Sequence, residues 1–471
     1  MLANDVLTLV PAGPPSTISQ TVARVRAGFD RGKTRSLAWR EAQLNALLRM
    51  LKQEEPRILD ALHRDLGKPK QEAASAEVLE CAMNVRYLLK NLARWMRPER
   101  VATPLAAWPG RSQIVREPKG VALIIAPWNY PFSLVFHPLG GALAAGNSVV
   151  VKPSELAPAT SALIAELYPR YLDPDCVAVV RGGVAETTEL LAERFDHIFY
   201  TGNGAVGRVV LEAAAKHLTP VTLELGGKSP AYVDRSADLD VTTKRLSWAK
   251  FYNCGQTCVA PDYALVHRDV YEPFLSKLVE AVQAMWGADP RLGTDYGRIV
   301  NAHHHARVMR LIASGGTPVL GGKGDVAQRY IAPTILRDVH ASSAVMHEEI
   351  FGPVLPVLPV DSVEQAIAFI NAREKPLALY AFAKDAPVCE RFQNETSSGG
   401  ITINHAMLHL TIPGLPFGGV GASGMGAYHG QFSMDTFSHR KAVHRRALWG
   451  EPELMYPPYD DRKLAWIRRL F

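Results

Sequence analysis

At 471 residues the chain is too long for one ordinary core, and two or three domains are expected. With 47% hydrophobic residues, 21% charged residues and a net charge of +6, it reads as a globular protein whose mild basic bias suits anionic small molecules. It has no basic block interleaved with aromatics that would argue for nucleic acid. Five cysteines at 81, 176, 254, 258 and 389 make no disulfide framework, so reduced thiols in the cytoplasm are expected; no leader pattern and no run of 18 or more apolar residues suggests secretion or a membrane span.

Residues 1–18 hold Pro and Gly and read as a loose arm. Residues 19–97 follow a helical pattern. Leu44, Leu47, Leu48 and Leu51 form one apolar stripe, separate helices are expected at 57–65 and 76–95, and Gly67-Lys68-Pro69 is the break between them. Cys81 in the last of these reads as a buried packing thiol. Residues 98–120 change character and suggest a loop and strand, a hairpin outside the main core. Five short apolar strands then follow, at 121–126, 148–152, 177–181, 197–200 and 221–225, alternating with helices at 133–145, 159–168, 185–194 and 205–217. That alternation predicts a doubly wound α/β unit built on a parallel sheet. The 225–238 segment reads as a crossing into a second α/β unit. This has helices at 238–249, 270–286, 301–313, 362–372 and 385–395, and strands at 262–266, 355–360, 378–383 and 400–404. A Gly- and Pro-rich loop region at 405–430 and a final strand at 436–448 complete the chain.

Ligands of such sheets bind beyond the carboxyl ends of the strands, so the turns there matter most. Pro127-Trp128-Asn129-Tyr130-Pro131 follows the first strand, and Asn129 is there either a turn former or an amide donor aimed at a ligand. Lys152-Pro153-Ser154-Glu155 ends the second. Lys152 and Glu155 suit ribose hydroxyls, and a charged loop with Ser154 as helix N-cap fits the same residues. In the turn after the fourth strand, Gly202, Gly204 and Gly207 spell G-x-G-x-x-G around Asn203, Ala205 and Val206. Such a turn lets backbone approach a pyrophosphate at a helix N-terminus. The ordinary fingerprint lies in the first strand–helix turn, however, and this one lies in the fourth. Glu224, 22 residues after Gly202, stands where a ribose-binding carboxylate falls, and spacing leaves open whether it binds ribose or does chemistry.

Cys258 lies in the stretch 253–263, between a helical and a strand pattern. It has the loop setting of a reactive thiol, whose thiolate is favoured by a helix N-terminus or a neighbouring cation. Cys254 lies four residues earlier but has no second pair or His cluster to complete a metal site, so no metal is expected. His303-His304-His305 on a helix point in different directions and read as a solvated face. Glu348-Glu349-Ile350-Phe351-Gly352-Pro353 is, in isolation, a charged turn with a packing ring.

Taken together these segments resemble the aldehyde dehydrogenase superfamily. The resemblance rests on Pro127-Trp128-Asn129, Lys152-Pro153-Ser154-Glu155, the 199–207 turn, Leu223-Glu224-Leu225-Gly226-Gly227-Lys228, Gly255-Gln256-Thr257-Cys258, the 348–353 stretch and Pro416-Phe417-Gly418-Gly419-Val420-Gly421, all in the family's order. His217-Leu218-Thr219-Pro220, Gly426-Ala427-Tyr428-His429-Gly430 and Thr436-Phe437-Ser438-His439-Arg440 look like its class 3 branch, which acts on fatty and aromatic aldehydes.

The resemblance implies NAD(P)-dependent oxidation of an aldehyde to the acid through a cysteine thioester. Cys258 would be the nucleophile, Glu224 the general base and Asn129 the oxyanion donor. Lys152 and Glu155 would take the adenosine ribose, residues 202–207 would face the pyrophosphate, and Glu349 and Phe351 would hold the nicotinamide end. It further implies a cofactor domain over 1–225 with 98–120 as an oligomerisation hairpin, a catalytic domain over 226–404, and a return segment over 405–435 lining the cleft. Residues 436–471 would be an oligomerisation strand and tail, in a homodimer. Asn203-Gly204 departs from the family's usual Ser/Gly-Thr and predicts a softened helix start. The tail, with Leu464, Ile467 and Phe471 at helical spacing among basic residues, is expected to be docked or frayed rather than a membrane contact. Two rivals stand beside this reading. Transfer of the thioester to coenzyme A has no need of a water-activating Glu224, and an idle member of the fold has no need of the intact Asn129, Glu224, Cys258 and Glu349 set.

Overall fold

Successive residues of a strand point to opposite faces of its sheet. Val121, Leu123 and Ile125 accordingly join one buried cluster while Ala122, Ile124 and Ala126 join another, which makes Val121–Ile125 a strand buried on both faces. In the computed structural model, which describes residues 17–451 and 453–470, this strand is central to a six-stranded sheet. The order across the sheet is Gly424–Met425, Val221–Glu224, His197–Thr201, Val121–Ile125, Ser148–Lys152 and Val177–Val179, with every pair parallel except the first. From Val121–Ile125 the second and third strands build outward on one side, and the fourth and fifth on the other. The order therefore reverses between Val121–Ile125 and His197–Thr201, and a crevice opens at such a switch point. This accounts for the G-x-G-x-x-G turn following the fourth strand: the fourth strand borders the reversal as closely as the first.

A second sheet of seven strands carries Thr317–Leu320, Thr334–Arg337, Val354–Val360, Tyr263–His267, Pro230–Val233, Ala378–Phe382 and Gly400–Ile403 in that order; only its first pair is antiparallel. The segment read as a crossing at 225–238 contains one of its inner strands, Pro230–Val233. Four residues opening on Pro gave too short a run to separate from a linker. Thr317–Leu320 and Thr334–Arg337 were also missed. A third sheet pairs Glu99–Val101, Gly110–Pro118 and Ser438–Arg446, all antiparallel, so the 98–120 excursion and the final strand lie together.

The expected break between residues 51 and 57 is absent. Leu37–Leu66 is one helix of 30 residues, capped by Ser36, with Pro56 inside it. Its buried stripe runs on through Leu47, Leu51, Glu54, Ile58, Ala61 and Asp65, and that continuity carries it past the proline. The arm expected at 1–18 lies outside the described residues except for Thr17 and Ile18, which already begin helix Thr17–Asp30. The return region 405–430 is not all loop, since Gly424–Met425 pairs back onto Glu224 and Leu223. The tail forms helix Asp461–Leu470 with Leu464 and Trp466 exposed, so it is neither docked nor frayed; Phe471 is outside the described residues. No helix among the described residues is long and apolar enough to cross a membrane.

Candidate active site

Cys258 follows helix Leu239–Phe251 through a turn with three left-handed residues in a row, Asn253 (φ 51°), Cys254 (φ 53°) and Gly255 (φ 70°). Such backbone is costly for Asn and Cys and persists only where the surroundings hold it. The Asn253 N–H donates to Glu72 (3.0 Å), and its side-chain amide donates to the carbonyls of Asn129 (2.9 Å) and Gln256 (3.1 Å). The Gln256 side chain donates to the Asn253 and Arg298 carbonyls and accepts from Val300 N–H. At Gly255 a Cβ would lie 2.2 Å from the Gly352 carbonyl oxygen, so only glycine fits. Cys254 is buried within this turn, and burial raises its thiol pKa.

The setting of Cys258 corrects one expectation. Among the described residues no cation is a leading influence on the thiol, and only the Cys258 and Val259 backbone groups lower its pKa in part. Burial, with Glu349 and Glu224 nearby, pushes it up to about 12. Glu224 ends strand Val221–Glu224 and is itself buried. Neither of its carboxylate oxygens has a hydrogen-bond partner among the described residues, and desolvation raises its pKa well above the usual carboxylate range. Asn129, 2% exposed, donates one amide hydrogen to the Gln256 carbonyl at 3.0 Å, and the other has no partner among the described residues.

Two cavities meet at this point. Both are lined by Leu134, Thr201, Glu224, Leu225 and Cys258. The larger, about 570 Å³, runs along the switch-point crevice. At one end Lys152 pairs with Glu155 at 2.6 Å, the lysine buried and the carboxylate 45% exposed. Next comes the turn of Gly202 and Asn203, opening helix Gly204–Ala215. The predicted softening of that helix start is not found, because the Asn203 side chain accepts from Val206 N–H at 2.9 Å and caps it. Gly207 packs on Leu225 and Leu223, where a Cβ would be crowded, while Gly204 has open space. Further along lie Glu349 and Phe351. Glu349 is half-buried against Gly226, whose missing Cβ leaves it room, and desolvation together with Asp262 pushes it up to about 8.

The residues of this cavity suit a dinucleotide in order: a charged pair for ribose, a helix N-terminus for phosphates, a carboxylate for the second ribose, and an aromatic wall before the thiol. That wall is Phe351, edge-on to Trp128 at 5.3 Å, with His304 at 5.1 Å on the other contact of the indole. His304 is half-buried and its pKa falls to about 4, so it is neutral; His305 is buried on the Tyr330 carbonyl. The triple-His helix is therefore not simply a solvated face.

The smaller cavity, about 220 Å³, approaches Cys258 from the other side. Its lining is mostly apolar, with Leu134, Trp248, Tyr252, Met407, Leu410 and Phe417 prominent. One wall is polar: Glu80 lies 2.5 Å from His137, whose ring meets that of His429 at 5.4 Å. With Cys81, these first two are the only group of described His, Cys, Asp or Glu residues close enough to share an ion. Burial raises the Cys81 thiol pKa.

Motif reading missed the residues that hold the 348–351 turn. Arg307 donates to the Glu348 side chain and to the Glu349 and Ile350 carbonyls. Lys228 donates to the Val345 and Glu348 carbonyls and pairs with Asp262, which accepts from Ile350 N–H. Lys228 stood within a quoted motif; the others carry no local signal.

With this geometry in hand, comparison with known proteins gives a consistent result. The family model described as "Aldehyde dehydrogenase family" matches residues 2–443. A Mus musculus protein, aldehyde dehydrogenase family 3 member A2, is 49% identical over 453 residues, covering 96% of this chain and 93% of its own. A Canis lupus familiaris protein named aldehyde dehydrogenase, dimeric NADP-preferring, is 50% identical over 94% of this chain and 98% of its own. Among solved structures, the substrate-bound state of Staphylococcus aureus AldH superposes with a TM-score of 0.95 at 44% identity, covering 97% of this chain and all of that one.

Proposed function

Because the chain belongs to the aldehyde dehydrogenase family, we propose a residue-by-residue account of how it performs that family's reaction. The enzyme oxidises an aldehyde to the carboxylic acid with NAD or NADP. The observation that carries the account is the convergence of two cavities on Cys258 and Glu224.

The dinucleotide, when bound, supplies the hydride acceptor. Lys152 and Glu155 hold one ribose, the Gly202–Val206 backbone and the Asn203-capped helix start face the phosphates, and Glu349 and Phe351 hold the other end. The aldehyde enters by the smaller cavity. Cys258 Sγ, once deprotonated, attacks its carbonyl carbon. The second hydrogen of the Asn129 amide and the Cys258 backbone N–H take the developing oxyanion, a contribution of about 3 kcal/mol per donor. With the hydride of the adduct carbon passed to that acceptor as the C–H bond breaks, the acyl group would be left on sulfur as a thioester. Glu224, whose burial raises its affinity for protons, takes one from an attacking water, and the acid departs with Cys258 restored. The apolar lining suits aliphatic chains or aromatic rings.

The half-exposed Glu155 beside Lys152 is the feature on which choice between NAD and NADP turns. A homodimer in the cytoplasm belongs to the same reading: one relative is named dimeric, and five unpaired thiols are what a reducing compartment maintains.

The test is reduced-nicotinamide absorbance with NAD or NADP and a panel of aliphatic and aromatic aldehydes. Cys258→Ala should abolish turnover. Glu224→Gln should release about one equivalent of reduced nicotinamide in a burst and then stall at the thioester. Steady turnover by either variant overturns the assigned role.

A further inference from the structure

Gly67-Lys68-Pro69, legible in the sequence only as a break between helices, places a fully buried ammonium beside the turn that carries Asn129. Gly67 is left-handed (φ 58°) at the end of helix Leu37–Leu66, and the chain there turns Lys68 inward. The Lys68 ammonium pairs with Glu77, both side chains being 0% exposed. It also donates to the Asn129 carbonyl at 3.1 Å and lies 4.1 Å over the Tyr130 ring. Glu77 sits in a π-helical turn, Ala74–Leu79, a wide turn of the kind found where a helix serves a site. Its second oxygen accepts from the N–H groups of Phe132 (2.9 Å) and Ser133 (3.2 Å).

Among the described residues, every side-chain hydrogen bond of this pair outside itself thus ends on residues 129–133. The Asn129 carbonyl takes a second hydrogen bond from Asn253, and the Asn129 amide is tied to the Gln256 carbonyl two residues before Cys258. Asn129 is gripped at its carbonyl by a cation and at its side chain by the nucleophile's own loop. Burying two charges is costly, and apolar side chains of similar shape serve mere packing as well or better. The pair's geometry instead fixes the peptide from which the oxyanion-binding amide projects.

We propose that Lys68 and Glu77 are positioning residues for the reaction, holding the Asn129 amide where the oxyanion forms. The proposal rests on Asn129 being the oxyanion donor. It requires that the effect of the pair on turnover pass through Asn129 alone.

The experiment is a double-mutant cycle on the full-length enzyme with saturating dinucleotide and aldehyde. Replacing the pair by apolar residues, Lys68→Met with Glu77→Leu, should lower kcat by about ten- to a hundredfold, a fraction of what loss of an oxyanion donor costs. The KM for the dinucleotide should stay within about twofold, since the cofactor cavity is untouched. In an Asn129→Ala background the same replacement should lower kcat no further. Equal losses in both backgrounds, or a folded double variant with unchanged kcat, overturn the proposal.

Should the apolar pair fail to fold, Glu77→Gln keeps an oxygen to accept from Phe132 and Ser133 while an amide NH2, a donor, replaces the charged acceptor of Lys68. Its loss of about threefold or more should likewise vanish when Asn129 is Ala, and persistence of that loss overturns the proposal. Asn129→Ala alone separates the two levels of the argument. If it leaves kcat unchanged, the oxyanion role of Asn129 falls and this inference with it; if it costs activity but the effects add, only this inference falls.

Discussion

Cys258, the proposed nucleophile, has a thiol pushed up to about 12. The two charged neighbours that contribute, Glu349 and Glu224, are carboxylates whose own pKa values burial has raised, Glu349 to about 8. This setting favours the protonated thiol over the thiolate. Below pH 8 Glu349 is mostly neutral and exerts little charge on the sulfur; above pH 8 it ionises and opposes thiolate formation. Alkylation of Cys258 by iodoacetamide, followed on its peptide by mass spectrometry, should therefore climb with pH up to about 10 without a plateau. Glu349→Gln should alkylate at the parent rate near pH 7 and about threefold or more faster near pH 9.5. A plateau in the parent near neutrality, or equal rates at high pH, contradicts this electrostatic account. At this scale Cys258, Glu224 and Asn129 could be singled out as candidates because each sits in a local motif, and the structure brings all three to the larger cavity. Lys68 and Arg307 were not, because their meaning lies in partners 61 and 41 or 42 residues away, and nothing in the local pattern marks such pairings.

Elements were most readable where period and length agreed. The parallel strands of the first sheet, buried on both faces, appear as apolar runs, and the helices between them as longer stretches, of which Ser133–Ala145 is buried almost throughout. Pro230–Val233 failed that test through brevity, and Leu37–Leu66 was read as a stripe at 44–51 and a separate helix at 57–65 although its buried stripe continues through Pro56. The helix start at Asn203 shows a departure from family pattern that the structure makes good. The side chain accepts from Val206 N–H, so the N-terminal turn keeps the ordered N–H groups that a phosphate needs. Asn203→Ala should cost about 1 kcal/mol of helix stability, and Asn203→Ser should restore most of it. The kinetic signature should be a raised KM for the dinucleotide with little change in kcat. Loss of kcat with unchanged KM would place Asn203 in the chemistry instead of the cofactor grip. Of the three glycines, Gly207 serves close packing on Leu225 and Leu223, Gly202 has no room beside the Tyr200 hydroxyl, and Gly204 is unconstrained by neighbours, so the fingerprint conceals three separate demands.

For the whole molecule, the third sheet raises a problem that one chain does not solve. Its order, Glu99–Val101, Gly110–Pro118, Ser438–Arg446, leaves one side of the nine-residue Ser438–Arg446 strand unpaired among the described residues. A long open edge is a template for pairing, and natural proteins cover or blunt it. Basic residues along the strand, Arg440 and Lys441 among them, blunt it in part, although these two are paired with Glu99 and Glu117. Beside it the 447–450 segment lies against Pro109 and presents Leu448 and Trp449 to solvent, with Trp108 and Leu105 exposed on the adjoining excursion. Scattered exposed apolar residues are ordinary, but large ones gathered at an open sheet edge mark an interface. A second copy of the chain is the partner that this reading assigns. Light scattering at micromolar concentration should therefore give twice the 51.6 kDa chain mass. Leu448→Asp with Trp449→Asp should shift it to a monomer, because two charges would then be buried without partners at the interface. The two cavities at Cys258 draw no lining residue from this region, so the monomeric variant should still reduce the dinucleotide when mixed with it and an aldehyde. A parent protein that scatters as a monomer removes the dimer from the account, while a variant that stays dimeric moves the interface elsewhere on the surface.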